Sequence, residues 1–366
     1  MFNTAVTKLN APPVSVVLNW KASYDQSQGD LIDMSQAVPG YTAHNDMLAA
    51  LAEAAANPEL ARYGPVEGDM PLRKSYAQHL SYIYRSPINP ENIQITSGCN
   101  QAFVATALAV AGQGDRVLMM RPCYFNHESA LGMLGVGIDY VDCDVDHGLL
   151  PDCAAIASAI TNKTKAVSLV SPNNPTGSIY PPDLLLEIFK LCQTRKIWLI
   201  LDETYRDFLP LDQNTPHHLF AEDNWQDTLV QLYSFSKSLC IPGHRLGAIT
   251  ADKSIINEIS KVMDNMQICA PRPAQYAVAH YLPKIDKFIN KKSSDIAEKA
   301  LLFTKLLSTC PEWEIASIGT FFVYVKHPFE NLECDKVSQI LAKELGIITI
   351  PGKYFGRNQE KFIRMS

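Results

Sequence analysis

The sequence has no long apolar run and no block of charge of one sign. Its longest apolar stretch, AFVATALAVAG at residues 102–112, is too short to cross a bilayer. The 32 basic and 38 acidic residues give a net charge of −6 without a cluster of Lys and Arg. We therefore expect neither a membrane nor a nucleic acid as a partner. The N-terminus also lacks the basic-then-apolar pattern of a signal peptide.

Paired cysteine motifs are absent as well. The nine cysteines are scattered without a C-x-x-C spacing, which argues against a disulfide framework and against a zinc site. We therefore expect reduced thiols, a cytoplasmic location and no bound metal. With 47% hydrophobic and 19% charged residues, the 366-residue chain has a globular composition. Its length suits a large domain and a smaller one.

Short apolar runs in the middle of the chain look like buried strands. They are RVLMM (116–120), AVSLV (166–170), IWLILD (197–202) and TLVQLYS (228–234). Residues 181–196 predict a helix, because two prolines open a stretch with apolar positions at helical spacing. Residues 100–112 predict another helix, with Gly112 as its C-terminal cap. This order predicts an α/β fold whose large domain has a mostly parallel sheet flanked by helices.

The last hundred residues have a different pattern. They predict a helix at 293–310, a strand at 320–327 and a helix at 334–346 that ends at Gly346. Such a succession indicates a smaller α+β domain. The predicted units are an N-terminal segment (1–40) that joins the small domain, a large domain (41–270) and a small C-terminal domain (271–366).

Polar residues follow each predicted strand, and ligands bind where the carboxyl ends of parallel strands meet. The turn TSGCNQA (96–102) offers a helix N-terminus to a phosphate, although an ordinary strand–helix turn has the same pattern. Tyr124 could present a flat face to a ligand or belong to the core. Asn174 could donate a hydrogen bond to a ligand or only shape a turn.

Asp202 and Lys237 end two further strands. A buried carboxylate at Asp202 needs a cation, unless it only caps the next turn. Desolvation favours the neutral amine of Lys237, a nucleophile that forms a Schiff base with an aldehyde. Arg245 suits a phosphate or a carboxylate. The alternative is a solvated lysine and an ion-paired arginine.

The whole set matches the needs of one cofactor, pyridoxal phosphate. It contains an amine for the aldehyde, donors for the phosphate, an aromatic face for the ring and an anion for the ring nitrogen. A protonated ring nitrogen makes this ring an electron sink. The ordered set is therefore more informative than any one of its members.

The same motifs resemble those of the class I and II aminotransferases of fold type I, the superfamily of aspartate aminotransferase. They are RYGPVEGDMPLR (62–73), TSGCNQA (96–102), PCYFNH (122–127), SPNNPTG (171–177), LDETYRDF (201–208) and SFSKSLCIPGHRLG (234–247). The resemblance implies pyridoxal 5′-phosphate as the cofactor. It also implies transfer of an amino group between an amino acid and a 2-oxo acid by a ping-pong mechanism.

The resemblance also assigns roles to individual residues. It implies that Lys237 forms the Schiff base and shuttles a proton, while Asp202 pairs with the ring nitrogen. Asn174 and Tyr205 would hydrogen-bond the phenolic oxygen of the ring, and Tyr124 would stack on its face. The implied phosphate ligands are Gly98, Cys99, Asn100, Ser234, Ser236 and Arg245.

Three further residues take roles by resemblance. Tyr63 would reach the phosphate of a neighbouring subunit, which implies a homodimer with a shared active site. Arg364 in FIRMS would bind the α-carboxylate of the substrate as a bidentate pair. Gly40 in AVPGY would lie over the substrate, and Asn174 would contact it.

The chain departs from the family pattern at two places. The family continues past the R-x-S motif through a strand and a helix, whereas this chain stops at Ser366. We therefore expect a missing final segment and a less firmly anchored Arg364. An arginine for a side-chain carboxylate is not evident, since Gln275 falls near that place with Arg272 close by. A strict preference for aspartate is therefore not expected.

Two other functions compete with transamination. A carbon–sulfur lyase that works by β-elimination would use the same cofactor and the same cofactor-holding residues. A ligand-sensing domain of a transcription regulator would follow a helix-turn-helix domain. The RYGPVEG motif begins at residue 62, which leaves no room for such a domain.

Overall fold

The computed structural model describes residues 1–213 and 215–366. The helices in this part of the chain are α1 (Thr4–Thr7), α2 (Pro13–Lys21), α3 (Asn45–Ala56), α4 (Met70–Tyr84), α5 (Cys99–Val110), α6 (Phe125–Leu134), α7 (Cys153–Ala159), α8 (Pro182–Arg195), α9 (Lys253–Met266), α10 (Arg272–Tyr281), α11 (Asp286–Leu307) and α12 (Cys334–Glu344). No helix among the described residues is both long enough and apolar enough to span a bilayer.

The strands are β1 (Ile32–Asp33), β2 (Ile93–Thr96), β3 (Arg116–Arg121), β4 (Gly137–Asp142), β5 (Thr164–Val170), β6 (Trp198–Asp202), β7 (Leu229–Ser234), β8 (Gly247–Thr250), β9 (Glu314–Gly319), β10 (Phe322–Lys326), β11 (Ile347–Ile348), β12 (Ile350–Pro351) and β13 (Phe362–Met365). Seven of them form the large sheet in the order β2-β8-β7-β6-β5-β3-β4. Only β8 runs against its neighbours. The predicted α/β fold with a mostly parallel sheet is therefore confirmed.

The large sheet is buried on both faces, which explains why its strands are apolar throughout. Side chains alternate between the faces of a strand. Leu118 and Met120 of β3 belong to the core on one face, together with helix α8. Val117 and Met119 belong to the core on the other face, together with helix α5. Truncating such a side chain to Ala would cost about 2–5 kcal/mol.

The predicted element ends were less accurate than the elements themselves. Helix α5 ends at Val110, with Ala111 as an extended cap, so the predicted cap at Gly112 was wrong. The reason is that Gly112 does not adopt a left-handed conformation, while Gly346 after α12 does, with a φ of +69°. Helix α11 begins at Asp286, before its predicted start.

A second, antiparallel sheet lies in the C-terminal region in the order β12-β13-β10-β9. Strand β1, near the N-terminus, pairs in parallel with β11. The N-terminal segment thus contacts the C-terminal region, although the domain limits at residues 40 and 270 stay a prediction. Strand β13 lies between β12 and β10, so Arg364 is held in the interior of this sheet.

Candidate active site

A cleft opens where the carboxyl ends of β3, β5, β6 and β7 meet, as expected for a parallel sheet. It encloses about 570 Å³, including the solvent at its mouth. Most of the predicted site residues line it. They are Cys99, Asn100, Tyr124, Asn174, Asp202, Tyr205, Ser234, Ser236, Lys237 and Arg245.

Lys237 reaches the cleft from the loop that follows β7. Among the described residues, its amine has neither a hydrogen bond nor an ion pair, which leaves it available to a ligand. Burial, followed by the charges of Arg364 and Arg245, lowers the pKa of Lys237 to about 8. A larger fraction of neutral amine is therefore present near neutral pH than for an ordinary lysine.

Asp202 ends β6 and is 3% exposed. Its Oδ1 accepts a hydrogen bond of 2.9 Å from the backbone N–H of Thr204. Its Oδ2 lies 3.3 Å from Nε2 of His127. Burial raises the pKa of Asp202, but His127 and Thr204 outweigh this effect and the net pKa is lowered. Asp202 therefore stays an anion in a buried place.

Asn174, Tyr205 and Arg364 form a hydrogen-bonded row beside the cleft. The Asn174 amide donates to the Tyr205 hydroxyl at 3.3 Å, and Arg364 Nη1 donates to Asn174 Oδ1 at 3.0 Å. Arg364 Nη2 donates to the carbonyl of Ser35, while its Nε has no partner among the described residues. Burial lowers the pKa of Arg364 to about 10, so it remains a cation at neutral pH.

The start of helix α5 forms the end of the cleft that suits an anion. Gly98 caps this helix with a φ of +90°, and a Cβ there would lie 2.5 Å from Arg245 Nη2. The first N–H groups of a helix have no partner within the helix, so those of Cys99 and Asn100 can face a ligand. The hydroxyl of Ser236 is buried and has no hydrogen-bond partner among the described residues.

Tyr124 forms a wall of the cleft. Its hydroxyl accepts a hydrogen bond of 2.9 Å from the Asn126 amide and lies 3.4 Å from Asn100 Oδ1. These contacts fix the orientation of the ring, and burial raises the pKa of Tyr124 to about 12. The tyrosine therefore remains neutral and presents an uncharged face.

The structure does not bring every predicted residue to this cleft. Gly40 lines a separate cavity with Val38 and Phe322, whereas Ala37, three residues earlier, lines the cleft. Tyr63 is 78% exposed on the surface of the chain. Gly98 itself is not among the residues that line the cleft, although Cys99 and Asn100 of the same turn are.

Gln275 and Arg272 also lie away from the cleft. The side chain of Gln275 is buried, where it accepts from Asp69 N and donates to Ala270 O. Arg272 forms an ion pair with Asp69 at 3.1 Å. Within one chain, neither residue is therefore placed to bind a carboxylate in this cleft.

Sequence reasoning missed His127 as a site residue. The PCYFNH motif ends on it, but no strand-end argument applied to a residue inside α6. Its ring stacks on Phe103 with a centroid distance of 3.8 Å, which holds Nε2 toward Asp202. The available signal was that Ala130 and Leu131, three and four residues later, are apolar, which places His127 on the buried face of the helix.

The chain resembles known proteins over nearly its whole length. The family model "Aminotransferase class I and II" matches residues 29–366. The aromatic aminotransferase ISS1 of Arabidopsis thaliana is 27% identical over 328 residues, which cover 88% of this chain and 81% of that protein. An aspartate aminotransferase of Sulfurisphaera tokodaii is 26% identical over 305 residues, which cover 81% of this chain and 75% of that protein.

A solved structure has the same fold. YbdL from Escherichia coli, identified as having a methionine aminotransferase function, superposes with a TM-score of 0.91. The two chains are 22% identical, and the match covers 100% of this chain and 94% of the other. At this identity the likeness establishes the fold alone.

Proposed function

This chain belongs to the aminotransferase class I and II family and is a transaminase, and we propose that it uses pyridoxal 5′-phosphate in the cleft described above. The observation that carries this proposal is that Lys237, Asp202 and the N-terminus of helix α5 all line one cleft. The relatives described above are aminotransferases. The lyase alternative therefore finds no support among them.

The residues present fit this cofactor. Within the described part of the chain, the amine of Lys237 and the buried hydroxyl of Ser236 have no hydrogen-bond partner, so both have unused bonding capacity. Arg245 and the start of α5 would hold the phosphate, because both favour an anion. When bound, the cofactor supplies an aldehyde that condenses with amines and a ring that takes up the electron pair of the substrate's α-carbon.

Four side chains of the cleft would act on the cofactor ring and the substrate in different ways. Asp202 would keep the ring nitrogen protonated, since its own pKa is lowered and it stays ionised. Asn174 and Tyr205 would donate hydrogen bonds to the phenolic oxygen of the ring. Lys237 would accept the proton from the α-carbon of the substrate and donate it to C4′ of the cofactor, and would run the same transfer in reverse in the second half-reaction. A pKa near the working pH suits a group that moves a proton in both directions.

Arg364 would orient the substrate by its α-carboxylate. Its guanidinium packs on two aromatic rings, 5.2 Å from the centre of Phe322 and 5.5 Å from that of Phe355. These contacts and the bonds to Asn174 and Ser35 leave little freedom to the side chain. A fixed guanidinium binds a carboxylate with two parallel hydrogen bonds. The substrates would be an amino acid and a 2-oxo acid.

We also propose a homodimer in which Tyr63 reaches the partner's phosphate. Several large apolar side chains around Tyr63 are exposed, namely Leu48, Met70, Ile268 and Tyr276. The segments that carry them are in contact, since Gly64 N donates to Cys269 Sγ, the Tyr276 hydroxyl donates to Glu53, and Met70 and Tyr276 line one cavity. An exposed apolar patch of this kind marks a protein interface.

We propose the cytoplasm as the location of the protein. The nine cysteines are all unpaired in the described part of the chain, as is usual in a reducing compartment. Fractionation of cells with an antibody against the chain would test this, and recovery outside the cytoplasmic fraction would contradict it.

A half-reaction tests the proposed function. The cofactor-loaded protein is mixed with single amino acids, and its visible spectrum and the products are followed. Transamination converts the visible band to that of pyridoxamine phosphate and releases one 2-oxo acid per site. Pyruvate and ammonia released continuously from cysteine would instead indicate the lyase. The Lys237→Ala variant should show neither reaction, and Lys253→Ala, on the surface, serves as its control.

A further inference from the structure

An arginine that the proposed function does not use, Arg206, is buried behind the cleft. It directly follows Tyr205 and is 3% exposed. Its guanidinium carbon lies 4.0 Å from the centre of the Tyr233 ring. Its terminal nitrogens donate to the hydroxyls of Tyr84 at 3.4 Å and Tyr76 at 3.2 Å. A buried cation is costly, so this arrangement calls for an explanation.

A neighbouring carboxylate compensates the charge. Asp207 Oδ1 lies 3.6 Å from Arg206 Nε, and Asp207 Oδ2 accepts a hydrogen bond of 2.5 Å from the Tyr233 hydroxyl. We call Tyr76, Arg206, Asp207 and Tyr233 the Arg206 cluster. Its aromatic rings pack directly on one another, with Tyr76 stacked on Tyr233. The cluster is therefore a close-packed unit with little freedom to move.

The Arg206 cluster touches the loop that carries Lys237. The Tyr233 hydroxyl lies 2.9 Å from the Ser238 hydroxyl, and Ser238 directly follows Lys237. Because Tyr233 donates to Asp207, Ser238 is the donor in this second bond. A continuous path thus joins the turn that follows Asp202 at the end of β6, and that bears Tyr205, to the loop after β7.

We propose that the Arg206 cluster positions Lys237 relative to Asp202 and Tyr205, with the hydroxyl of Tyr233 as the connecting group. This inference rests on the proposed function of the cleft. Residues on two separate loops keep a productive geometry only if the loops are tied together. A displacement of about 1 Å of a group that transfers a proton can lower a rate by roughly a hundredfold.

The position of Lys237 also governs its protonation. The charged and titratable groups that act on its amine include Arg364, Arg245, Cys99, Asp202 and Cys240. None of these groups belongs to the Arg206 cluster, so the cluster would act on the amine through its position. A loosened loop would change the distances to these groups and hence the pH at which Lys237 titrates.

Two variants that each remove one tyrosine hydroxyl distinguish a positioning role from a general effect on the stability of the fold. Tyr233→Phe removes the hydroxyl that bonds Asp207 and Ser238. Tyr84→Phe removes a hydroxyl that bonds Arg206 and Glu203 but does not touch Ser238. Both side chains are buried, so both variants should lower the melting temperature. Only the first should affect Lys237.

The measurement is a pH titration of the visible absorbance of the cofactor-loaded protein, followed by kcat and KM. For Tyr233→Phe we expect the midpoint of this absorbance titration to move by about half a pH unit or more. We expect kcat to fall on the order of tenfold, with a smaller change in KM. Ser238→Ala should show the same spectral shift, and it decides the matter if Tyr233→Phe does not fold.

The results that would overturn the inference are definite. Wild-type midpoint and kcat in both Tyr233→Phe and Ser238→Ala would show that the link is not used. An equal shift in Tyr84→Phe would show that general loosening, rather than the link to Ser238, is responsible. Failure of the proposed function looks different, because the wild-type protein itself would then lack a visible band that depends on Lys237.

Discussion

The Nε2 atom of His127 lies 3.3 Å from Oδ2 of Asp202, and both side chains are buried at the back of the cleft. The histidine comes from helix α6 and the aspartate from the end of β6. The pair explains how a carboxylate remains ionised in a place where burial alone would protonate it. It is also the contact that strand-end reasoning failed to predict.

Replacing His127 with Asn should therefore raise the pKa of Asp202. A lowered pKa keeps a carboxylate ionised to lower pH, so its loss moves the acid limit of activity upward. The pH dependence of kcat/KM from pH 8 down to below pH 4 measures this limit. His147→Asn, at an exposed histidine, is the control. An unchanged acid limit would contradict the role of His127.

Replacing Asp202 with Asn should leave the protein folded but lower kcat by about a hundredfold or more, because the ring nitrogen loses its counter-ion. Stopped-flow half-reactions and circular dichroism measure the two properties. Asp139→Asn removes a carboxylate paired with Arg116 away from the cleft and should retain the rate. A near-normal rate in Asp202→Asn is incompatible with the proposed pairing.

The amine of Lys237 should destabilise the cofactor-free protein at neutral pH. Burial lowers its pKa from 10.5 to about 8 in the folded state. Below pH 8 the amine is protonated in both states, and burying the charged form lowers the free energy of unfolding. This loss of stability becomes smaller as the pH rises from 8 to 10.5, because the amine of the folded protein is then neutral. Lys237→Met should be more stable than wild type at pH 7 by on the order of 1–3 kcal/mol. Urea unfolding at pH 7, 8.5 and 10 should show this difference closing, and a difference independent of pH would refute the explanation.

Replacing Arg364 with Lys should weaken substrate binding more than cofactor binding. A lysine keeps the charge but cannot form two parallel hydrogen bonds with a carboxylate. We expect KM for the amino donor to rise by about ten- to a hundredfold, with cofactor affinity retained. Arg121→Lys, at a partly exposed ion pair with Asp142, is the matched control. If KM stays the same, Arg364 does not bind the α-carboxylate.

Tyr63→Phe should weaken cofactor retention, and subunit mixing can show that Tyr63 acts across the dimer. A hybrid of one Tyr63→Phe chain and one Lys237→Ala chain contains one site with both native residues. Cofactor titration of the mixture should therefore show tight sites that neither parent has. Tyr82→Phe, also at an exposed tyrosine, should behave as wild type. An active monomer, or a mixture without tight sites, would rule out the shared site.

The main elements of the fold could be predicted because their signals are local. The four apolar runs correspond to β3, β5, β6 and β7, since a strand buried on both faces is apolar at every position. Strand β8 is only four residues long and antiparallel, and it was missed because Gly247–Thr250 carries no such signal. The ends of α5 and α11 were misplaced because caps depend on backbone angles that composition does not fix.

The sequence by itself determined which polar residues stand at the strand ends, because parallel strands bring Asn174, Asp202 and Lys237 to one edge whatever the details of packing. Tertiary structure alone decided that Ala37 rather than Gly40 borders the cleft, that His127 faces Asp202 and that Arg206 packs on the ring of Tyr233. These contacts join residues far apart in the chain, and their distances depend on how helices and loops pack. No local pattern encodes such distances, since a side chain's charge and reactivity are set by whichever distant neighbours exclude water from it.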